Sequence, residues 1–146
     1  MAKHKVLMTG ASGYIASLIL PTMRDHFDLV LADVSDTDRD GNKIEGVYIA
    51  DFIDTDRSKY AHLFEGVDAV IHLAFKPHTA RGSEFEKAPI DRFDNEHENV
   101  QMANNIYRSA YDAGVRRIAV ASSNHAADWY EHSLIHDRKM DMVRPT

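Results

Sequence analysis

The stretch Lys5-Val6-Leu7-Met8-Thr9-Gly10-Ala11-Ser12-Gly13-Tyr14-Ile15-Ala16 decides the fold. It begins as a short, largely apolar run that ends in glycine, the pattern of a parallel strand buried on both faces. After Gly13, Ile15, Leu18, Ile19 and Met23 recur at helical spacing. Pro21 falls inside that pattern and predicts a kink or an early stop. A strand, two glycines three apart and a helix fit a phosphate-binding turn, although a plain strand–turn–helix built on small residues would read the same up to this point. Gly10 permits the tight turn, Gly13 leaves the backbone bare for a pyrophosphate, and Ala16 is small enough for close helix–sheet packing. The helix start supplies free N–H groups and a partial positive charge. The candidate contacts in this turn are Gly10, Ser12, Gly13, Tyr14 and Ile15.

Working outward, residues 29–32 read as a second strand ending at Asp33, and residues 47–50 as a third ending at Asp51. Residues 56–64 predict a short helix with Gly66 past its end, and residues 68–74 a fourth strand. Residues 76–89 read as a loop. From 90 to 113, Ile90, Phe93, Val100, Ala103, Ile106 and Ala110 are expected on one buried helical face, with Gly114 as the stop. Residues 117–121 give a fifth strand, followed by Ser122-Ser123. Apolar strands joined mostly by helices specify an α/β fold, a Rossmann-type doubly wound parallel sheet of about five strands with helices on both faces. The pattern fades after Ser123. A nucleotide-binding domain is therefore expected over residues 1–123, with an irregular tail over 124–146.

The second strand end carries the next piece of chemistry. Asp33 stands 20 residues after Gly13, where a carboxylate accepts both hydroxyls of an adenosine ribose. It repels a 2′-phosphate and so favours NAD over NADP. Arg39, six residues on, could help only if its loop folds back. Asp51-Phe52 closes the third strand, where an adenine ring would lie. Leu73, Ala74 and Phe75 close the fourth, where small and apolar residues let a dinucleotide pass. Ligands of such sheets bind at the carboxyl ends of the strands.

The whole composition agrees with one globular domain: 146 residues, 44% hydrophobic and 27% charged. A formal net charge of −6 and the lack of a basic patch argue against nucleic acid as a partner. The chain has no cysteine, which removes disulfides and thiolate metal sites. No run of about 18 apolar residues occurs, so no membrane span is expected, and the start of the chain lacks a secretory core. A cytoplasmic location is the expectation. His132 and His136 are four apart, but no third ligand is well placed, and a metal site is not expected.

Taken together, Thr9-Gly10-x-x-Gly13-x-x-Ala16, Asp33, Asp51-Phe52, residues 68–74, Asn99-Val100 and Ala121-Ser122-Ser123 resemble the extended short-chain dehydrogenase/reductase family, the NAD-dependent epimerases and dehydratases. The resemblance runs from about residue 3 to 125. It implies NAD as cofactor and places Asn99 close to it. Ser122-Ser123-Asn124-His125, followed by Trp129-Tyr130, resembles the uronate and related sugar dehydrogenases. That narrower likeness implies that Ser123 hydrogen-bonds the reacting hydroxyl, while Asn124 and His125 hold sugar oxygens.

The resemblance also implies a tyrosine acting as general acid/base with a lysine four residues later. The residues four after Tyr14, Tyr48, Tyr60, Tyr107, Tyr111 and Tyr130 are Leu18, Phe52, Phe64, Tyr111, Val115 and Leu134, and none is lysine. The chain is expected to stop before that pair and to be inactive alone. The alternative is a non-enzymatic NAD-binding sensor. A fifth strand left as an apolar edge, together with a long helix that packs against a partner subunit in the family, predicts a homo-oligomer, a dimer.

Overall fold

In the computed structural model, which describes residues 3–77 and 89–123, the opening strand β1 (Lys5–Thr9) lies at the centre of a five-stranded parallel sheet. Its alternate side chains point to opposite faces, and both faces are covered. Leu7 joins a cluster with Val70, Phe64 and Ile106, whereas Met8 joins Ala16, Leu20 and Leu31 on the other side. A strand buried on both sides needs apolar residues at consecutive positions, which is why residues 6–8 do not alternate with polar ones.

Helix α1 (Tyr14–His26) leads back to β2 (Asp28–Asp33), and β3 (Val47–Ile49) follows. Two 3-10 turns, Arg57–Lys59 and Ala61–Phe64, precede β4 (Ala69–His72). Helix α2 (Pro89–Asp112) then returns the chain to β5 (Arg117–Val120). The strand order is β3-β2-β1-β4-β5. The chain builds outward from β1 in one direction, then crosses to build outward in the other. This reversal between β1 and β4 is where an open α/β sheet forms a crevice. The register aligns the carboxyl ends along one edge, Thr9 facing Ala32 on one side and His72 on the other. β5 pairs with β4, and all four of its residues are exposed.

Three local expectations are corrected. Helix α1 continues through Pro21 to His26, so the early stop does not occur. Pro21 and Ser17 are both exposed, so the carbonyl that loses its helical partner is left on the water-facing side. Residues 56–64 form two 3-10 turns instead of one helix, broken at Tyr60. That break turns the Tyr60 ring inward, 1% exposed and 4.9 Å from the Phe52 ring. On α2 the expected apolar face is split. Ile106 and Ala110 are buried beside Met102, Asn105 and Ser109, whereas Phe93 and Val100 are exposed together with Tyr107 and Tyr111. The inner stripe includes two polar residues, which a count of apolar positions alone passes over.

Candidate functional site

The turn after β1 is held by backbone packing. Gly10 has φ +75°, and a Cβ there would lie 2.5 Å from the Ala74 nitrogen and 2.6 Å from the Leu73 carbonyl carbon. Glycine is required for its left-handed backbone and again because the segment after β4 passes directly against it. The Gly10 N–H donates to the Ala32 carbonyl at 3.0 Å, and the Gly13 N–H to the Gly10 carbonyl at 3.1 Å. Gly13 is the N-cap of α1, and no side chain caps it. The first N–H groups of a helix lack intrahelical acceptors, so this end is a ready anion site.

A groove of about 480 Å³ opens over this turn at the carboxyl ends of the strands, within the range of roughly 300–1,000 Å³ found for small-molecule and cofactor sites. The residues expected to touch a dinucleotide, from Gly10 through Phe75, all line it, with Asn99 as the exception. Asp33 closes one wall. Its Oδ2 accepts the Ser12 N–H at 2.9 Å and the Ser12 hydroxyl at 2.7 Å, and its Oδ1 accepts the Val34 N–H at 2.6 Å. The end of β2 is thereby tied to the glycine turn.

At the end of β3, Asp51 Oδ1 accepts the Ile53 N–H at 2.9 Å. Phe52 lines the groove but buries its ring against Tyr60 and Phe64, so its side chain is also part of the core. The Tyr60 hydroxyl donates to the Asp54 carbonyl at 2.8 Å, and burial of the ring pushes its pKa up to about 12. Tyr60 is therefore a neutral structural donor at ordinary pH.

Asn99 acts one step removed from the groove. Its Oδ1 accepts the Lys76 N–H at 2.9 Å, and its Nδ2 donates to the Lys76 carbonyl at 3.2 Å. Lys76 itself lines the groove, and its ammonium pairs with Glu98 at 2.7 Å. Behind the groove, Thr9 Oγ1 and His72 Nδ1 share a buried hydrogen bond of 2.8 Å. Burial lowers the His72 pKa below its usual value.

The loop after β2 does fold back. The Arg39 guanidinium lies 5.3 Å from the centre of the Tyr14 ring, a cation–π distance. Together with Ser12, Gly13 and Ser17 these two residues border a smaller recess of about 330 Å³ beside the main groove. Asp38 and Asp40 also border that recess. Met102 of α2, too, lines the main groove without having been singled out in the sequence. Its signal was its position on the inner stripe of α2, which only the three-dimensional packing reveals.

Ser123 follows β5 and is exposed. It does not line the groove. Asn124, His125, His132 and His136 lie outside the described residues. Among the described residues there is no cluster of three or more potential metal ligands, and no helix is long and apolar enough to cross a membrane. The arrangement can hold an elongated molecule with an anion at the start of α1, a diol at Asp33 and a flat ring near Phe52.

The chain is similar to several known proteins. The chain is 37% identical over 144 residues to an NAD-dependent glucose-6-phosphate dehydrogenase of Haloferax volcanii, covering 96% of this chain and 50% of that protein. It is 28% identical over 131 residues to a uronate dehydrogenase of Pseudomonas syringae pv. tomato, covering 89% and 43%. A short-chain dehydrogenase/reductase superfamily protein from Agrobacterium tumefaciens, solved with bound NAD, superposes with a TM-score of 0.59 at 26% identity, covering 82% of this chain and 33% of that one. The chain thus spans about half the length of the curated relatives it matches. Residues 6–145 match the sequence profile of the NAD dependent epimerase/dehydratase family, and the chain belongs to that family.

Proposed function

We infer that these residues form the NAD-binding part of a sugar dehydrogenase acting on a hexose phosphate or a uronate. The observation that carries this reading is the Asp33 carboxylate, fixed at the wall of the groove beside the uncapped start of α1. The start of α1 would hold the pyrophosphate through its N–H groups. Asp33 would accept the adenosine ribose hydroxyls and repel a 2′-phosphate, which selects NAD over NADP. Asp51 and Phe52 would border the adenine, and Leu73, Ala74 and Phe75 would lie along the path toward the nicotinamide. When bound, NAD supplies the hydride acceptor for oxidation of a sugar hydroxyl. Asn99 would shape the channel by holding Lys76.

Ser123, Asn124 and His125 would contact the sugar. The 146 residues contain no tyrosine followed four positions later by lysine, so they hold NAD without completing proton transfer from the sugar hydroxyl.

Equilibrium dialysis with NAD, followed by addition of glucose 6-phosphate or glucuronate, tests both halves of the reading. Retained NAD with no rise in NADH absorbance is the expected result. Steady NADH formation by this chain would contradict the inactive half, and failure to retain NAD would contradict the binding half.

A further inference from the structure

Asn105 of α2 is 4% exposed and has no part in the function derived above. Its side chain is directed at the loop that follows β3. The Asn105 amide nitrogen donates to the carbonyls of Phe52 at 2.9 Å and Asp54 at 3.2 Å, and lies 3.4 Å from that of Ile53. Three successive carbonyls converge on one amide group. Carbonyls only accept, so the nitrogen must face them. The opposite end of the amide is fixed as well, because Gln101 Nε2 donates to Asn105 Oδ1 at 2.9 Å.

The loop so held forms part of the wall of the groove. Asp51, Phe52 and Ile53 all line it. Asp51 spends one carboxylate oxygen on the Ile53 N–H, so the direction of its other oxygen follows the backbone of the same loop. Met102, less than one helical turn before Asn105, lines the groove directly. One helix face therefore supplies both an apolar surface to the ring site and the clamp on its polar rim.

We propose that Asn105 is a positioning residue for base recognition: by fixing the carbonyls of residues 52–54 it sets the Asp51–Ile53 wall against the adenine ring. The proposal rests on the NAD-binding reading and assigns to Asn105 the discrimination between a 6-amino purine and its 6-oxo analogue. A buried amide whose role was stability alone would weaken folding without changing which base is preferred.

The test compares the affinity of the full chain for NAD and for nicotinamide hypoxanthine dinucleotide, in the wild type, Asn105→Leu and Gln101→Met. Leucine keeps the volume of Asn105 and removes its hydrogen bonds. The wild type is expected to prefer NAD, and Asn105→Leu to lose roughly tenfold of that preference, the equivalent of about one well-made hydrogen bond to a charged group. Gln101→Met, at a partly exposed position, is expected to lose a smaller part in the same direction, and it decides the matter if Asn105→Leu does not fold. An unchanged preference in folded variants would overturn the proposal while leaving NAD binding intact. No binding of either dinucleotide by the wild type would overturn the NAD-binding reading, and this proposal with it.

Discussion

Asp33 and Ser12 form a two-point contact: one carboxylate oxygen accepts both the backbone N–H and the hydroxyl of the serine, at 2.9 and 2.7 Å. A carboxylate offers about four acceptor positions. Ser12 fills two and the Val34 N–H a third. A bound ribose diol would find one open position, and would gain a second if the Ser12 hydroxyl rotated away. Ser12→Ala is expected to leave NAD affinity within about threefold of the wild type, because its N–H remains and a competitor is removed. Asp33→Ala is expected to lower it roughly a hundredfold or more, by loss of two hydrogen bonds to a charged group. Isothermal titration of the two variants checks the contrast, and equal losses would contradict it.

Gly10→Ala should be among the most damaging small substitutions in the chain. The added carbon would meet backbone atoms of Leu73 and Ala74 at 2.5–2.7 Å, from a residue at φ +75°. Backbone strain and overpacking together are expected to cost about 3 kcal/mol. A urea midpoint that falls at unchanged slope would confirm a loss of stability. An unchanged midpoint would show that the ends of β1 and β4 part without difficulty.

The buried Thr9–His72 pair predicts an acid-sensitive fold. Burial lowers the folded pKa of His72, so below about 6.5 the unfolded chain binds the proton more readily. The stability contribution of neutral His72 is complete above that pH and is lost as pH falls below it. Asp36, Asp38, Asp54 and Asp68 have lowered pKa values through hydrogen bonds and nearby cations. Their contribution is lost in a separate window below about 3.9. Melting temperature should therefore decline between pH 7 and 5, and His72→Gln should flatten that limb. An identical slope in the variant would assign the decline elsewhere.

Helix α2 presents Val100, Tyr107 and Tyr111 outward, at 62%, 41% and 84% exposure. An apolar stripe on a helix that covers the sheet with its other face is suited to pairing with a second copy. Sedimentation is expected to show a dimer that Val100→Glu with Tyr107→Glu converts to a monomer of unchanged circular dichroism. A wild type that is monomeric at high concentration would contradict the pairing.

The parts of the site that were legible in the sequence are those built from local grammar. The glycine spacing, the apolar run before it and the acidic residues closing β2 and β3 each follow from neighbours along the chain; the glycines and the two aspartates line the groove, while the apolar run is buried in the core beneath it. The parts that were not legible depend on long-range packing. Asn105 meets carbonyls about fifty positions away, and its polar character masked the inner stripe of α2. Arg39 reaches Tyr14 through a loop whose path is set by its own hydrogen bonds, such as Asp38 with the N–H groups of Asp40 and Asn42. The ties from the Asn99 side chain to the backbone of Lys76 and to the Glu96 carboxylate likewise follow from packing. The break at Tyr60 reflects a ring that gains more from the core than one more helical turn would give.

If the groove over Gly10 and Gly13 is an NAD site selected by Asp33, NAD and NADP must differ in affinity. Calorimetric titration of the full chain with NAD and, separately, with NADP tests it most directly. Saturable binding of NAD and at least about tenfold weaker binding of NADP are expected, since a 2′-phosphate would be brought against the Asp33 carboxylate. Absence of NAD binding, or equal affinity for the two dinucleotides, would contradict it.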